Sequence, residues 1–264
     1  MSAPTDNRRV LILGGTGEAR ALAGALVERG GFDVVTSLAG RTRDAARLPG
    51  RVRVGGFGGA EKLAEWLRAE AIDLVVDATH PFATTISASA VMACTATGVA
   101  RLMLVRPSWT VGPGDRWIEV ANLAEAASML PRSGTRAFLT IGRQGLDAFV
   151  TCEDMWFLVR VAEADGGPVP LADCRVVAAR GPFDAAAEEA LMREHRIDVL
   201  VCKASGGSAT VGKLAAARAL GLPVVMLRRP PPPPGPVVTS VAETLEMAVS
   251  VLDGCGTGDN TSSS

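Results

Sequence analysis

Short Val- and Leu-rich runs alternate along the chain with longer segments in which apolar residues return every three to four positions. This pattern predicts buried strands covered by amphipathic helices. In the first part, strands are expected at Val10 to Leu13, Asp33 to Ser37, Val52 to Val54, Leu74 to Asp77 and Leu102 to Val105. Helices are expected between them at Glu18 to Arg29, Ala60 to Ala69 and Thr84 to Thr97, where residues such as Leu63, Trp66 and Leu67 fall on one face. After Arg106-Pro107-Ser108-Trp109 a turn, Gly112-Pro113-Gly114-Asp115, interrupts the pattern, which then restarts. Further strands are expected at Trp117 to Val120, Ala137 to Ile141, Met155 to Val161, Arg175 to Ala178, Val199 to Cys202 and Val224 to Leu227. Their helices begin near Asn122, Gly145, Asp184 and Thr210.

Strands alternating with helices imply βαβ units and parallel sheets. The expectation is therefore an α/β protein of two Rossmann-like domains with mainly parallel sheets and an active-site cleft between them. The ranges are 1–110 and 111–252, with a Gly/Ser/Thr-rich, disordered tail at 253–264. An internal echo supports related halves: Ile72 to Thr79 and Ile197 to Ser205 are both apolar runs that end in polar residues. In open α/β sheets, ligands sit beyond such strand ends. The run Pro230 to Pro234, followed by Gly235-Pro236, predicts an extended connector to a last helix at Val241 to Leu252, acting either as a stiff spacer or as a docking motif.

Composition narrows the function. Of 264 residues, 48% are hydrophobic and 21% charged, and the formal charge is −1. A folded core is expected, and the absence of a basic excess argues against nucleic-acid binding. No apolar stretch approaches the roughly 18 residues that span a bilayer, and the N-terminal residues show no leader pattern, so neither membrane insertion nor secretion is expected. The five cysteines include no C-x-x-C, and with only two histidines, His80 and His195, no metal site is expected. Reduced thiols in the cytoplasm are the expected setting.

Several turns have residues suited to ligands. Gly14-Gly15-Thr16-Gly17-Glu18-Ala19-Arg20 joins the first strand to the first helix, where backbone N–H groups and the helix dipole favour a phosphate. It departs from G-x-G-x-x-G at Arg20, and a tight turn without ligand is the alternative. Past the second strand, Ser37-Leu38-Ala39-Gly40-Arg41 offers a hydroxyl and a guanidinium where a NAD-binding fold carries a carboxylate. This suits a 2′-phosphate and hence NADPH, unless Arg41 and Arg43 are solvated loop charges. Gly56 and Gly58, among four glycines in the five residues 55–59, would let the adenosine end approach the backbone, unless the segment is only a flexible turn. Asp77-Ala78-Thr79-His80-Pro81-Phe82-Ala83 closes the fourth strand near the expected nicotinamide, with Thr79, His80 and Pro81 in reach. His80 is either a proton donor or a turn-fixing residue.

In the second half, Lys203-Ala204-Ser205-Gly206-Gly207 leads to Gly212-Lys213 with G-x-x-x-x-G-K spacing. Leu214 stands where a P-loop needs Ser or Thr, so an anion cradle for carboxylates is favoured over ATP hydrolysis, with helix-capping Ser and Gly beside surface lysines as the alternative. Lys203, Ser205, Gly206, Gly207 and Lys213, with Gly142, Arg143 and Arg229 at other strand ends, are the substrate-binding candidates. His80, Lys203 and Ser205 are the catalytic candidates.

Taken together, the glycine turn, Ser37 to Arg41, Asp77 to Ala83, Ile141-Gly142, Gly181-Pro182-Phe183, Lys203 to Gly206 with Lys213, and Arg229-Pro230 resemble the precorrin-6A reductases of cobalamin biosynthesis. The resemblance spans nearly the whole folded chain, and Asp-Ala-Thr-His-Pro-Phe-Ala is its most specific part. It implies hydride transfer from NADPH to a double bond of precorrin-6A, giving precorrin-6B, with NADPH on the first half, including Glu18 and Ala19. It also implies a polyacidic tetrapyrrole as substrate and neighbouring pathway enzymes as partners. A non-catalytic NADP(H)-sensing regulator is the alternative.

Overall fold

The computed structural model describes residues 7–40, 48–163 and 166–254, with side chains described as far as Leu252. Two units are present. The first comprises the described residues up to Arg106 and those from Pro230 onward; the second is Pro107–Arg229.

Unit 1 is built from β1 (Arg8–Leu13), α1 (Gly17–Arg29), β2 (Phe32–Leu38), β3 (Arg51–Val54), α2 (Ala60–Ala69), β4 (Leu74–Asp77), α3 (Thr84–Thr97) and β5 (Ala100–Leu104). It is completed by β12 (Val237–Val238) and α7 (Val241–Gly254). Its six strands are parallel in the order β3-β2-β1-β4-β5-β12. Alternate residues serve opposite faces. Val10, Ile12, Leu74 and Val76 pack against Leu22 and Leu26 of α1 and Ala248 and Leu252 of α7. Leu11, Leu13 and Val75 pack against Leu63 and Leu67 of α2 and Ala90 of α3. Burial on both faces explains the continuous apolar strands.

The last segment corrects the expected division, which placed 111–252 in one domain. Val237 and Val238 pair with Met103 and Leu104 of β5, so the chain returns to the first sheet. Without this return, β5 would be an edge strand with unpaired backbone groups. The prolines leading there have no N–H to donate, but their carbonyls are used: Pro236 accepts from Met103 N–H (3.0 Å) and Pro234 from Arg101 Nη2 (2.5 Å). Residues 255–264, most of the expected disordered tail, lie outside the described residues, and the helix expected to end at Leu252 runs to Gly254.

Unit 2 contains β6 (Trp117–Val120), α4 (Leu123–Met129), β7 (Arg136–Leu139), β8 (Trp156–Val161), β9 (Cys174–Ala178), α5 (Ala185–Glu194), β10 (Val199–Lys203), α6 (Gly212–Ala219) and β11 (Val224–Leu227). Its parallel order, β9-β8-β7-β10-β11-β6, repeats that of unit 1 over five strands; the sixth position is filled by the last strand of unit 1 but by the first of unit 2. The echoing runs are β4 and β10, each fourth in its sheet. Asn122 and Asp184 cap α4 and α5, accepting from Glu125 N–H (2.9 Å) and Ala186 N–H (2.9 Å). The helix expected near Gly145 is only a 3₁₀ turn, Leu146–Phe149, entered through Gly142 and Gly145 at φ 80° and 92°. Among the described residues, no helix is long and apolar enough to cross a membrane.

Candidate functional site

In a sheet of this order, the strand direction of growth reverses between β1 and β4, and the crevice beyond their carboxyl ends is the ligand position. The glycine turn stands there. Gly14 N–H donates to Ser37 O (2.9 Å), and a Cβ on Gly14 would lie 2.9 Å from Thr36 Cγ2, so only glycine lets the turn press against β2. Thr16 is extended (φ −120°, ψ 163°) and caps α1: its Oγ1 accepts from Ala19 N–H (3.1 Å) and donates to Ala78 O (2.7 Å). The turn is thereby tied to the end of β4. Around Gly15 and Gly17 the space a side chain would enter is open for 4 Å. Gly17 and Glu18 begin a 13-residue helix, where N–H groups lack intrahelical partners and the dipole is positive. Glu18 is neutralised by Arg106 (Oε2 to Nη1, 3.0 Å).

Ser37 is buried at the end of β2, and Ala39 and Gly40 beyond it are exposed; Arg41 and Arg43 lie outside the described residues. A basic group that the sequence did not single out stands beside Ser37. Arg53, at the end of β3, has Nη1 3.5 Å from Ser37 Oγ, bonds to the carbonyls of Gly55 and Gly56, and lies 3.8 Å over the Phe57 ring. Burial holds its pKa below the usual arginine value. Its role was hidden because an alternating Arg-Val-Arg-Val strand reads as one solvated face.

Asp77 is fully buried. Its Oδ1 accepts from Thr79 N–H (3.1 Å) and Thr79 Oγ1 (2.7 Å), while Oδ2 makes no hydrogen bond among the described residues. Thr79 is thus committed to shaping the strand end. His80 is half-buried beside Pro81; its Nδ1 accepts from Phe82 N–H (3.3 Å), which leaves the proton of the neutral ring on Nε2.

In unit 2 the equivalent reversal lies between β7 and β10. Lys203 Nζ donates to Ile141 O (2.8 Å), and burial lowers the lysine pKa. Arg143, next to Gly142, donates to Gly167 O (2.6 Å) and Glu163 O (3.4 Å). Arg229 holds the Lys203 turn from beneath, donating to Ala204 O (3.1 Å) and Ser205 O (3.0 Å). Gly206, at φ 67°, faces the Pro107 carbonyl so closely that a Cβ would collide with it. Ser205 and Lys213 are both buried, and Lys213 Nζ is 5.6 Å from the Trp109 ring centre. Trp109, whose Nε1 donates to Gly207 O (2.8 Å), is a further member of this turn. Nothing in its local sequence context marked it.

The strand order, the capped glycine turn and the cationic second turn define a two-unit, doubly wound α/β protein of the dinucleotide-binding class. Residues 9–250 match the family model described as "Precorrin-6x reductase CbiJ/CobK", and the chain belongs to that family. It is 53% identical over 250 residues to the precorrin-6A reductase of Rhodococcus erythropolis, covering 94% of this chain and 98% of the relative. To the cobalt-precorrin-6A reductase of Priestia megaterium it is 28% identical over 255 residues, covering 91% and 98%. A solved structure titled "CobK precorrin-6A reductase" superposes with a TM-score of 0.87 at 42% identity, covering 92% of this chain and 97% of that one.

Proposed function

We propose that this protein is a cytoplasmic precorrin-6A reductase of cobalamin biosynthesis that uses NADPH and a metal-free macrocycle. Family membership over nearly the whole chain carries the reading. The greater identity to a relative named without cobalt, 53% against 28%, supports the metal-free substrate.

The residues present fit the cofactor. Open space at Gly15 and Gly17, at the positive end of α1, suits a pyrophosphate. At the end of β2, Ser37 stands where a carboxylate would hold an unphosphorylated ribose, and Arg53 beside it supplies charge for a 2′-phosphate; Arg41, outside the described residues, is the further cation the sequence offers. When bound, NADPH supplies the hydride to one carbon of the substrate, the neighbouring carbon taking a proton. The chain's own part is to bind, orient and hold that proton. His80 carries it at Nε2 in unit 1, and Lys203 and Ser205 are the candidate catalytic groups of unit 2. Arg143, Lys203, Lys213 and Arg229, with the Gly142, Gly206 and Gly207 amides, meet the acetate and propionate groups. Each charge-assisted contact contributes about 1.5–3 kcal/mol.

The test is turnover. Purified protein mixed with NADPH and precorrin-6A is expected to consume NADPH absorbance with formation of precorrin-6B. Binding of NADPH without turnover would instead favour a sensing role. Arg41→Ala is expected to raise KM for NADPH far more than for NADH, and equal effects would remove Arg41 from the 2′-phosphate.

A further inference from the structure

A buried ion pair lies behind the cationic turn of unit 2. Arg160 on β8 and Glu188 on α5 are 8% and 3% exposed, and the two guanidinium Nη groups meet the two carboxylate oxygens at 2.8 and 2.6 Å. The guanidinium carbon is 4.7 Å from the ring centre of Phe138 on β7 and 4.0 Å from that of Phe183. Stability is a weak explanation for such a pair, because well-packed apolar residues of the same volume commonly serve a core as well or better. Geometry gives a better one. A bidentate guanidinium has a fixed plane, and a ring seated on that plane has a fixed position.

Phe183 transmits that position. Its N–H donates to Ala209 O (3.0 Å), and a Cβ on Gly181 would come 2.9 Å from the same carbonyl. On the other side, a Cβ on Gly212 would collide with Phe183 O. The segment 181–183 is therefore seated against both ends of the stretch 209–212, directly before Lys213. We infer that Arg160 and Glu188 are positioning residues: through Phe183 they fix the 205–213 turn and so set the affinity for the carboxylates of the substrate. This rests on the assignment of that turn to the tetrapyrrole.

Steady-state kinetics on Glu188→Gln, Arg160→Lys and Phe183→Leu test it, with Lys213→Ala beside them. Each of the first three is expected to raise KM for precorrin-6A about tenfold, leaving kcat and KM for NADPH within about twofold. Phe183→Leu keeps the ion pair, so it decides the matter if either charge variant fails to fold. A purely structural pair would lower the active fraction, and hence apparent kcat, with KM unchanged; that result overturns the inference. If Lys213→Ala raises KM for precorrin-6A but Phe183→Leu does not, the positioning role alone falls. An unchanged KM in Lys213→Ala would remove the substrate assignment of the turn, and the inference with it.

Discussion

Lys203 reaches across from the end of β10 to the carbonyl of Ile141, just past β7, at 2.8 Å. In unit 1 the corresponding reversal is closed by a neutral group, the Thr16 hydroxyl on Ala78 O at 2.7 Å. Both ties join the neighbouring third and fourth strands of a six-strand parallel sheet. One places a cation at the strand ends and the other an uncharged helix cap, which suits a carboxylate-bearing ligand in one unit and a helix-bound phosphate in the other.

The charge on Lys203 has a consequence for pH dependence. Burial lowers its pKa in the folded protein from the ordinary 10.5, so the unfolded chain binds the proton more tightly. The cost of burying the cation is borne in full below the folded pKa and is relieved as pH rises through that pKa toward 10.5. Lys203→Met lacks this slope. Urea midpoints measured from about pH 8 to about pH 10 are expected to show the wild type gaining on the variant as pH rises. Parallel curves would contradict it.

Thr16 spends one hydroxyl on two bonds, as acceptor for the cap and as donor to β4. Thr16→Val keeps the shape and loses both, at an expected cost of about 1–2 kcal/mol in chemical denaturation. Thr16→Ser retains both bonds and is expected to lose much less. Titration should also show weaker NADPH binding for the valine variant, because the N–H groups opening α1 are aimed by this cap. Equal stability of the two variants would show that the hydroxyl does not hold the turn.

The parts of the molecule legible in the sequence were those governed by local chemistry. α2 and α3 have the expected ends, and Asn122 and Asp184 stand at the caps that their short acceptor side chains favour. The apolar runs of β4 and β10 announced their place because strands buried on both faces have no polar alternation. What escaped was long-range. β12 is two residues long and owes its existence to the open edge of β5, more than 130 positions earlier, as the Arg101–Pro234 bond shows. Arg53, Trp109 and the Arg160–Glu188 pair acquire meaning only from partners on other elements. Side-chain type and spacing do not encode those meetings.

Burial pushes the thiols of Cys94 and Cys202 up to about 11. The thiolate is the reactive form, so near pH 8 only about a thousandth of either group is ionised. Iodoacetamide is expected to leave both unmodified in the native protein and to label both in denaturant, read by peptide mass spectrometry. Native labelling of either at the rate of a small free thiol would show that its surroundings open to solvent.

The C-terminal segment supplies the sharpest test of the architecture. Leu252 is 2% exposed and shares a core with Leu22 and Leu26 of α1, although the intervening chain includes all of unit 2. Leu252→Ala is expected to cost about 2–5 kcal/mol, the range for a buried leucine replaced in a packed core. The loss should be local to unit 1. Amide hydrogen exchange is expected to quicken in β1, β2 and β5, which share or adjoin that core, and to stay near wild-type rates in β7 and β10. Were the last helix part of the second unit, as its position along the chain suggests, the pattern would invert. Because α1 is the helix whose N-terminus the glycine turn feeds, the variant should also bind NADPH more weakly without any change at the turn itself. Leu214→Ala, in the core of unit 2, should leave NADPH binding intact and raise exchange in β10 instead.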